Sequence, residues 1–190
     1  VRALEHNEYC CRALEARQRD GHLAPFPIFQ TDIREFVRSG YASLYKGRCD
    51  LVSAGFPCQP FSVAGKQQAA DDERNMWPAT RDVLCAVQPA YALLENVTGL
   101  LATGYCDRIF ADLAALGFDA EWGVFSVAGQ GGPHLRERVF IAAYDRSKRV
   151  QGNIRSSIRW VYGLPWGKDG GGSSSWAKRS GVSEPVIRRL

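Results

Sequence analysis

The stretch "DLVSAGFPCQPFS", residues 50–62, joins an apolar run to a loop in which a cysteine lies between two prolines. The apolar run (49–54) is continuous, which predicts a strand buried on both faces. Gly55 then frees the backbone, and the prolines on either side of Cys58 stiffen the loop. Cys58 is therefore predicted to lie on a rigid corner at the end of a strand rather than inside a packed core.

Cys58, taken by itself, has two interpretations. A cysteine beside an apolar run is most often a small hydrophobic residue packed in a core. As a nucleophile it has to be available as the thiolate, which nearby positive charge or the amides of a helix end favour. The choice between the two depends on the residues that accompany Cys58.

Segments with helical and with strand character alternate on both sides of this stretch. Helices are predicted over 7–19, 75–88 and 106–117, and strands over 26–29, 49–54, 90–96, 120–127 and 138–144. Such alternation is typical of an α/β fold in which a mostly parallel sheet carries helices on both faces. In sheets of this kind, ligands bind beyond the carboxyl ends of the strands.

Three residues with reactive or charged side chains fall at predicted strand ends: Asp32, Cys58 and Glu95. Glu95 follows two leucines, where an ionised and unpaired carboxylate would be costly. It therefore either forms a structural ion pair with a basic residue or keeps its proton and acts as an acid. The coincidence of the three positions indicates a functional site at this edge of the sheet.

Arg136 and Arg138 bracket Glu137 in "PHLRERVF". Side chains alternate along a strand, so the two arginines are predicted to point to one side of an extended segment. Two guanidinium groups on one side suit an anionic or carbonyl-rich ligand. The alternative is a surface salt bridge with Glu137 or its neighbours.

Composition limits the class of protein. With 190 residues, 45% of them hydrophobic, the chain can form one core of ordinary size. No run approaches the ~18 apolar residues of a membrane span, and "VRALEHNEYCCR" lacks the apolar core of a signal peptide, so the expected location is the cytoplasm. The six cysteines form no CxxC pair or Cys/His cluster, which argues against a structural metal site and a disulfide framework.

Charge divides the chain into an acidic body and a basic tail. Residues 1–145 contain 14 basic and 18 acidic side chains, whereas residues 146–190 contain 10 basic and 2 acidic ones. The tail also carries aromatic residues, which are Trp160, Tyr162, Trp166 and Trp176. Charges for phosphates and rings for stacking suit a nucleic-acid contact surface, and a solvated, flexible tail is the alternative.

Three motifs carry a resemblance to a known family. "GFPCQPFS" (55–62), "LLENV" (93–97) and "GGPHLRERVFIAAY" (131–144), in this order and at this spacing, resemble the central motifs of DNA (cytosine-5-)-methyltransferases of prokaryotes and phages. The likeness extends from Glu5 to Tyr144. It implies a Rossmann-like S-adenosylmethionine-dependent methyltransferase fold and an enzyme that methylates cytosine in double-stranded DNA.

The resemblance implies a role for each motif residue. Cys58 would add to C6 of the cytosine, which makes C5 a nucleophile toward the methyl group of S-adenosyl-L-methionine. Glu95 would hold N3 and the exocyclic amine. Arg138, together with Arg136, would hold the base carbonyl and help to position the loop that bears Cys58. Because the target base lies inside a duplex stack, it would have to be flipped out.

The cofactor site follows from the same resemblance. Glu5 matches the acidic residue that bonds the ribose hydroxyls, and Asp32 matches the carboxylate that accepts from the adenine amine. Ile33 would lie beside the adenine ring, with Pro57 and Trp77 as further walls. Asp32 has an alternative role as the cap of a helix that begins at "IREF", and one residue can do both.

The chain also departs from the family pattern. The family begins with a glycine-rich loop around the methionine part of the cofactor and ends with an asparagine-containing segment, and neither is present. We therefore expect a fragment, incomplete at both ends, that by itself binds S-adenosylmethionine poorly. Residues 1–145 are expected to form the partial catalytic and cofactor-binding domain, and residues 146–190 a short, partial target-recognition region.

Two other functions stay open from the sequence. One is cytosine-5 methylation of transfer RNA, which uses the same catalytic motifs. The other is a non-catalytic nucleic-acid-binding remnant. For the leading hypothesis we expect a monomer and a restriction–modification context, in which a cognate restriction endonuclease is linked by function rather than by contact.

Overall fold

The computed structural model describes residues 1–57 and 75–148, and the backbone of 187–189. Its α-helices in the described ranges are Glu8–Arg19 (α1), Ile33–Arg38 (α2), Trp77–Val87 (α3), Gly99–Ala102 (α4) and Tyr105–Ala115 (α5). Its strands are Ala3–Glu5 (β1), Ile28–Gln30 (β2), Leu51–Gly55 (β3), Tyr91–Asn96 (β4), Phe118–Ser126 (β5), Glu137–Asp145 (β6) and Ile187–Arg189 (β7). Short 3-10 turns occupy Ala42–Tyr45, Ala128–Gln130 and Arg146–Lys148.

The strands form two sheets. β1 and β2 pair in parallel, and the larger sheet has the order β3-β4-β6-β5-β7. The pairs β3–β4 and β5–β7 are parallel, whereas β6 runs antiparallel to both β4 and β5. The α/β class is confirmed, and the antiparallel β6 makes the larger sheet mixed.

The main core lies on one face of the larger sheet. In register, Ala92 and Leu94 of β4 oppose Ala143 and Ile141 of β6, and Trp122 of β5 opposes Ile141. These buried side chains pack in one cluster with residues of α3 and α5, among which Leu84, Ile109, Phe110 and Leu113 are almost fully buried. Each such side chain contributes roughly 1.5–3 kcal/mol of burial free energy, which fixes both helices on the sheet.

The prediction that residues 49–54 form a strand buried on both faces is wrong, because β3 lies at the edge of the larger sheet as described. Val52 and Ala54 of β3 pack against the core, but Leu51 on the opposite face is 53% exposed. Among the described residues β3 pairs only with β4, so its outward side chains lack covering neighbours. A continuous apolar run therefore does not by itself distinguish a doubly buried strand from a strand with one open face.

Local signals set most helix ends as predicted. The Asn7 side chain caps α1 by accepting from the Cys10 N–H, and Pro78 lies in the first turn of α3. Gly117, with a φ of 89°, ends the α5 segment in the left-handed region that glycine tolerates. Within the described ranges no helix has the length and apolarity that crossing a membrane requires.

Candidate active site

Three chain segments meet at one edge of the larger sheet. Gly55, the last residue of β3, lies in register with Glu95 of β4, and Glu95 lies in register with Phe140 of β6. The parallel pair contributes two carboxyl ends, and β6 contributes its first residues because it runs antiparallel. The predicted juxtaposition of strand ends is therefore present for Glu95 and for the chain that leads from β3 toward Cys58. It is not present for Asp32, which follows β2 of the smaller sheet. Cys58 itself lies outside the described residues.

Glu95 and Arg138 form an ion pair at this edge. Arg138 Nε lies 2.8 Å from Glu95 Oε1, and Arg138 Nη1 donates to the Glu137 carbonyl oxygen at 2.8 Å. The two side chains are 37% (Glu95) and 25% (Arg138) exposed, so the pair is accessible to a ligand. Of the two states left open by the sequence, the pairing with a basic residue is the one observed.

Gly55 makes room for the Glu95 carboxylate. A Cβ atom added at Gly55 would lie 3.1 Å from Glu95 Oε2, closer than side chains tolerate without a shift. The backbone of Gly55 is not in the left-handed region, so the need for glycine here is steric rather than conformational. Arg138 thus holds Oε1 of Glu95, and the missing side chain of Gly55 leaves space beside Oε2.

Two aromatic residues lie next to the ion pair. Phe140 is in register with Glu95, Phe125 is in register with Arg138, and the two rings are 5.8 Å apart between centroids. Residues in register share a face of the sheet, so the charged groups have an apolar flank. The sequence reasoning missed both rings, although alternation along β6 already puts Phe140 on the same face as Arg138.

Asn96 ties the ends of β3 and β4 together. Its side chain is buried, Nδ2 donates to the Phe56 carbonyl oxygen at 2.9 Å, and Oδ1 accepts from the Val97 N–H at 2.8 Å. The Phe56 ring packs on Trp77 at a centroid distance of 5.5 Å. Sequence reasoning did not single out Asn96, and only its place beside Glu95 in "LLENV" pointed to it. The exposed Pro57 is the last described residue before Cys58.

Arg136 does not share an extended segment with Arg138, so that prediction is wrong. β6 begins at Glu137, and Arg136 precedes it with a φ of 20° and an exposed side chain. The positive φ of Arg136 interrupts the alternation that a strand would have imposed. Arg138 therefore reaches Glu95 from the strand, whereas Arg136 belongs to the exposed loop before it.

A second group of carboxylates lies at the ends of β1 and β2. Glu5 ends β1 and its Oε1 accepts from the Asn7 N–H at 2.8 Å. Asp32 caps α2, and its Oδ1 accepts from the Arg34 N–H at 2.7 Å. Backbone donors thus orient both acceptors at the carboxyl ends of paired strands, where hydroxyl or amino groups of a ligand could bind. Ile33 opens α2 and packs against a second small core.

The thiol of Cys11 contacts the backbone at the end of β1. Cys11 is buried, and its Sγ donates to the Glu5 carbonyl oxygen at 3.5 Å. Burial, with the charges of Glu5 and Glu15, raises the pKa of this thiol above its usual value. Cys11 is therefore a neutral packing residue at physiological pH rather than a second nucleophile.

Trp77 lies in the core rather than on a pocket surface, which differs from the expectation that it walls the cofactor site. Its side chain is fully buried, and its indole Nε1 donates to Asp112 Oδ2 at 2.8 Å. Its ring supports Phe56, so Trp77 stabilises the packing behind the site and offers no exposed surface to a ligand. The indole N–H of a buried tryptophan usually finds a hydrogen-bond partner, which Asp112 provides here.

Comparisons with known proteins identify the relatives of this chain. Residues 1–162 match the family model of C-5 cytosine-specific DNA methylases. The Type II methyltransferase M.NgoMIV of Neisseria gonorrhoeae is 33% identical over 146 residues, which cover 75% of this chain and 44% of that protein. The Type II methyltransferase M.AplI of Arthrospira platensis is 37% identical over 97 residues, covering 50% of this chain and 28% of the relative. The chain thus spans less than half the length of these relatives.

Solved structures share the fold. The S. pombe Dnmt2 methyltransferase matches with a TM-score of 0.58 and 20% identity, over 89% of this chain and 48% of that one. The Entamoeba histolytica methyltransferase EhMeth matches with a TM-score of 0.60 and 18% identity, over 80% of this chain and 46% of that one. With a family model that spans most of its length, the chain belongs to the C-5 cytosine-specific DNA methylase family.

Proposed function

We propose that the protein transfers a methyl group from S-adenosylmethionine to C5 of cytosine in double-stranded DNA. The observation that carries this proposal is the accessible Glu95–Arg138 ion pair beside the strand end that leads to Cys58. A carboxylate held by a guanidinium group accepts hydrogen bonds and does not donate them, so it suits a ring that presents a protonated nitrogen beside an exocyclic amine. The family match adds the expectation that the ring is cytosine.

The residues of this chain have distinct roles in the proposed reaction. The Cys58 thiolate adds to C6 of a flipped cytosine: the S–C6 bond forms, the C5–C6 π electrons shift to C4–C5, the C4–N3 π electrons move onto N3, and N3 takes up a proton from water. Glu95 holds that proton at N3 and accepts from the exocyclic amine. Arg138 keeps Glu95 in place, and its other N–H groups face the base carbonyl in this proposal. When bound, S-adenosylmethionine supplies the methyl group to C5. The protons at C5 and N3 then pass to water, the C5–C6 double bond forms again, and the S–C6 bond breaks, which releases the Cys58 thiolate.

The proposed cofactor site lies at the ends of β1 and β2. Glu5 would accept from the ribose hydroxyls and Asp32 from the adenine amine, since both carboxylates are oriented by backbone N–H groups. Ile33 and the exposed Pro57 would supply apolar contacts to the adenine ring. The oxygen acceptors fit these donor groups. Trp77 does not belong to this proposed site, because its side chain is fully buried.

The basic tail is proposed to contact DNA. The charges and aromatic residues of 146–190 suit phosphate contacts and stacking, and most of this region lies outside the described residues. We propose that it is the target-recognition region, with 1–145 as the catalytic body. A Type II context would add a restriction endonuclease of the same specificity, and a DNA-modifying enzyme of this kind would act in the cytoplasm.

A covalent-adduct experiment tests the proposed function. The protein as its gene encodes it is incubated with S-adenosylmethionine and random-sequence duplexes that contain 5-fluorocytosine, because fluorine at C5 prevents release of the enzyme. We expect an adduct that survives denaturation and is absent in Cys58→Ser. An adduct with the corresponding RNA pool but not with DNA would favour the RNA substrate. The absence of an adduct with either pool would favour a non-catalytic role.

A further inference from the structure

We propose that Asn96 is a positioning residue that sets the direction in which the chain leaves β3 toward Cys58. The inference rests on the proposed function, in which Cys58 has to meet a base held by Glu95. Asn96 is the neighbour of Glu95 in β4 and is only 4% exposed. Two consecutive residues of β4 therefore serve the proposed site: Glu95 holds the base, and Asn96 contacts the chain that leads to Cys58.

The Asn96 amide extends the connection between the strands beyond their backbone pairing. The β3–β4 register ends at Gly55 and Glu95, so the carbonyl of Phe56 lies just past the last pair. Asn96 Nδ2 donates to that carbonyl oxygen at 2.9 Å. Asn96 Oδ1 accepts from the Val97 N–H at 2.8 Å, which fixes the orientation of the amide itself.

Phe56 is held at a second point. Its ring is 7% exposed and packs on the fully buried Trp77, while its carbonyl is held by Asn96. Two anchors in different directions leave the peptide plane after Phe56 little freedom. Pro57 follows with its fixed φ, so the orientation set at Phe56 also fixes the direction of the chain at Pro57, the last described residue before Cys58.

Only an amide fits both parts of this arrangement. An apolar side chain of similar size would fill the space but would leave the Phe56 carbonyl and the Val97 N–H without their partner. An aspartate would keep the acceptor for Val97 and lose the donor to Phe56. Asn96→Asp therefore removes the Nδ2 donor to Phe56 and keeps the oxygen acceptor for Val97.

Asn75 provides a matched control elsewhere in the core. It is 6% exposed, its Nδ2 donates to the Tyr105 hydroxyl at 2.6 Å, and its Oδ1 accepts from the Trp77 N–H at 3.2 Å. Asn75 thus donates and accepts in the same way as Asn96, but its partners lie in α5 and α3. The partners of Asn96 lie at the ends of β3 and β4. Asn96→Asp and Asn75→Asp make the same chemical change at comparable burial.

The experiment measures tritiated methyl incorporation into unmethylated DNA by the protein as its gene encodes it, with thermal unfolding of each variant. We expect Asn96→Asp to lower kcat by about 10²-fold, the size of effect that a misplacement of about 1 Å produces, while KM for the cofactor stays within about threefold. Asn75→Asp should keep kcat within about threefold of wild type, and its melting temperature measures how much the same exchange elsewhere in the core destabilises the fold.

The outcomes separate the inference from the proposed function. Wild-type activity together with an unchanged kcat in Asn96→Asp would overturn the inference alone, as would equal loss of kcat in the two variants. A wild-type protein that forms no 5-methylcytosine would overturn the proposed function and the inference with it. If Asn96→Asp does not fold, Asn96→Ala removes the same donor without adding a charge, and the same reduction of kcat is expected.

Discussion

At the scale of single residues, Glu95 depends on partners that are far from it in the chain. Arg138 holds one carboxylate oxygen at 2.8 Å, and Gly55 leaves space beside the other. The carboxyl group is thus restrained without being buried. Substitutions at Glu95 and at Gly55 test the chemical and the steric part of this arrangement separately.

Replacing Glu95 with Gln should slow methyl transfer by about 10²–10⁴-fold and leave cofactor affinity nearly unchanged. The amide keeps the shape of the side chain but loses the charge that Arg138 orients and the ability to hold a proton at N3. Single-turnover kinetics and calorimetric titration with S-adenosylmethionine measure the two effects. An equal loss of both would indicate that Glu95 has a structural role instead.

Replacing Gly55 with Ala should push the Glu95 carboxylate away from Arg138 and lower kcat by about tenfold or more, since catalytic groups tolerate little displacement. Gly99→Ala is the matched control. A Cβ at Gly99 would lie 3.9 Å from Val97 Cγ2, an ordinary contact, and alanine suits the short helix α4. Steady-state kinetics of both variants decide the point, and a Gly55→Ala enzyme with wild-type kcat would contradict the steric role.

At the scale of elements, the end of β6 carries a pH-sensitive connection. Asp145 accepts from the Ser147 N–H at 2.8 Å and from the Ser147 hydroxyl at 2.7 Å, and Lys148 lies nearby. Burial opposes the charged form, but these hydrogen bonds and the lysine outweigh it and lower the pKa of Asp145. The carboxylate therefore stabilises the fold above its unfolded-state pKa, and this contribution is lost as the pH falls through the folded-state pKa.

Asp145→Asn should lower the free energy of unfolding at neutral pH by on the order of 1 kcal/mol. The difference from wild type should begin to shrink as the pH falls below about 4, where the unfolded chain takes up the proton, and should be lost below the lowered folded-state pKa of Asp145. Urea unfolding at a series of pH values measures this. Asp20→Asn is the control, because Asp20 pairs with Arg17 on the surface, where such pairs contribute little. A difference that stays constant with pH would refute the assignment.

Sequence patterns predicted most elements but not their environment. The helices α1, α3 and α5 have capping or proline signals and apolar periodicity, so their existence follows from local interactions. The direction of β6 does not follow from local interactions, because an apolar strand has the same sequence pattern in a parallel and in an antiparallel pair. The exposure of Leu51 likewise depends on which neighbours cover β3.

At the scale of the whole molecule, the basic tail is expected to bring the acidic body to DNA. The six lysines and arginines between β6 and β7 that lie outside the described residues are Arg149, Arg155, Arg159, Lys168, Lys178 and Arg179. Neutralising them preserves Arg146, which donates to carbonyl oxygens at the end of α5, and leaves β7 in place. Substitution is therefore a cleaner test than truncation at Asp145.

Changing these six residues to Gln should weaken DNA binding and make it less dependent on salt. Each lost phosphate contact reduces the slope of log K against log salt by about 0.9. Fluorescence anisotropy with labelled duplex DNA at several salt concentrations measures the slope. Gln substitutions at the exposed Arg12, Arg17 and Arg19 of α1 serve as the control. An unchanged slope in the tail variant would show that the tail does not contact phosphates.

The sequence by itself determined the α/β class, the strand ends at which reactive residues fall, and the motifs of the family, because these depend on local periodicity and on residue identity. Tertiary structure decided that Arg138 rather than Arg136 reaches Glu95, that Trp77 belongs to the core, and that Asn96 holds Phe56. Asn96 and Phe56 are 40 residues apart. Contacts of this kind depend on strand register and direction, which packing of the whole sheet fixes and no local pattern contains.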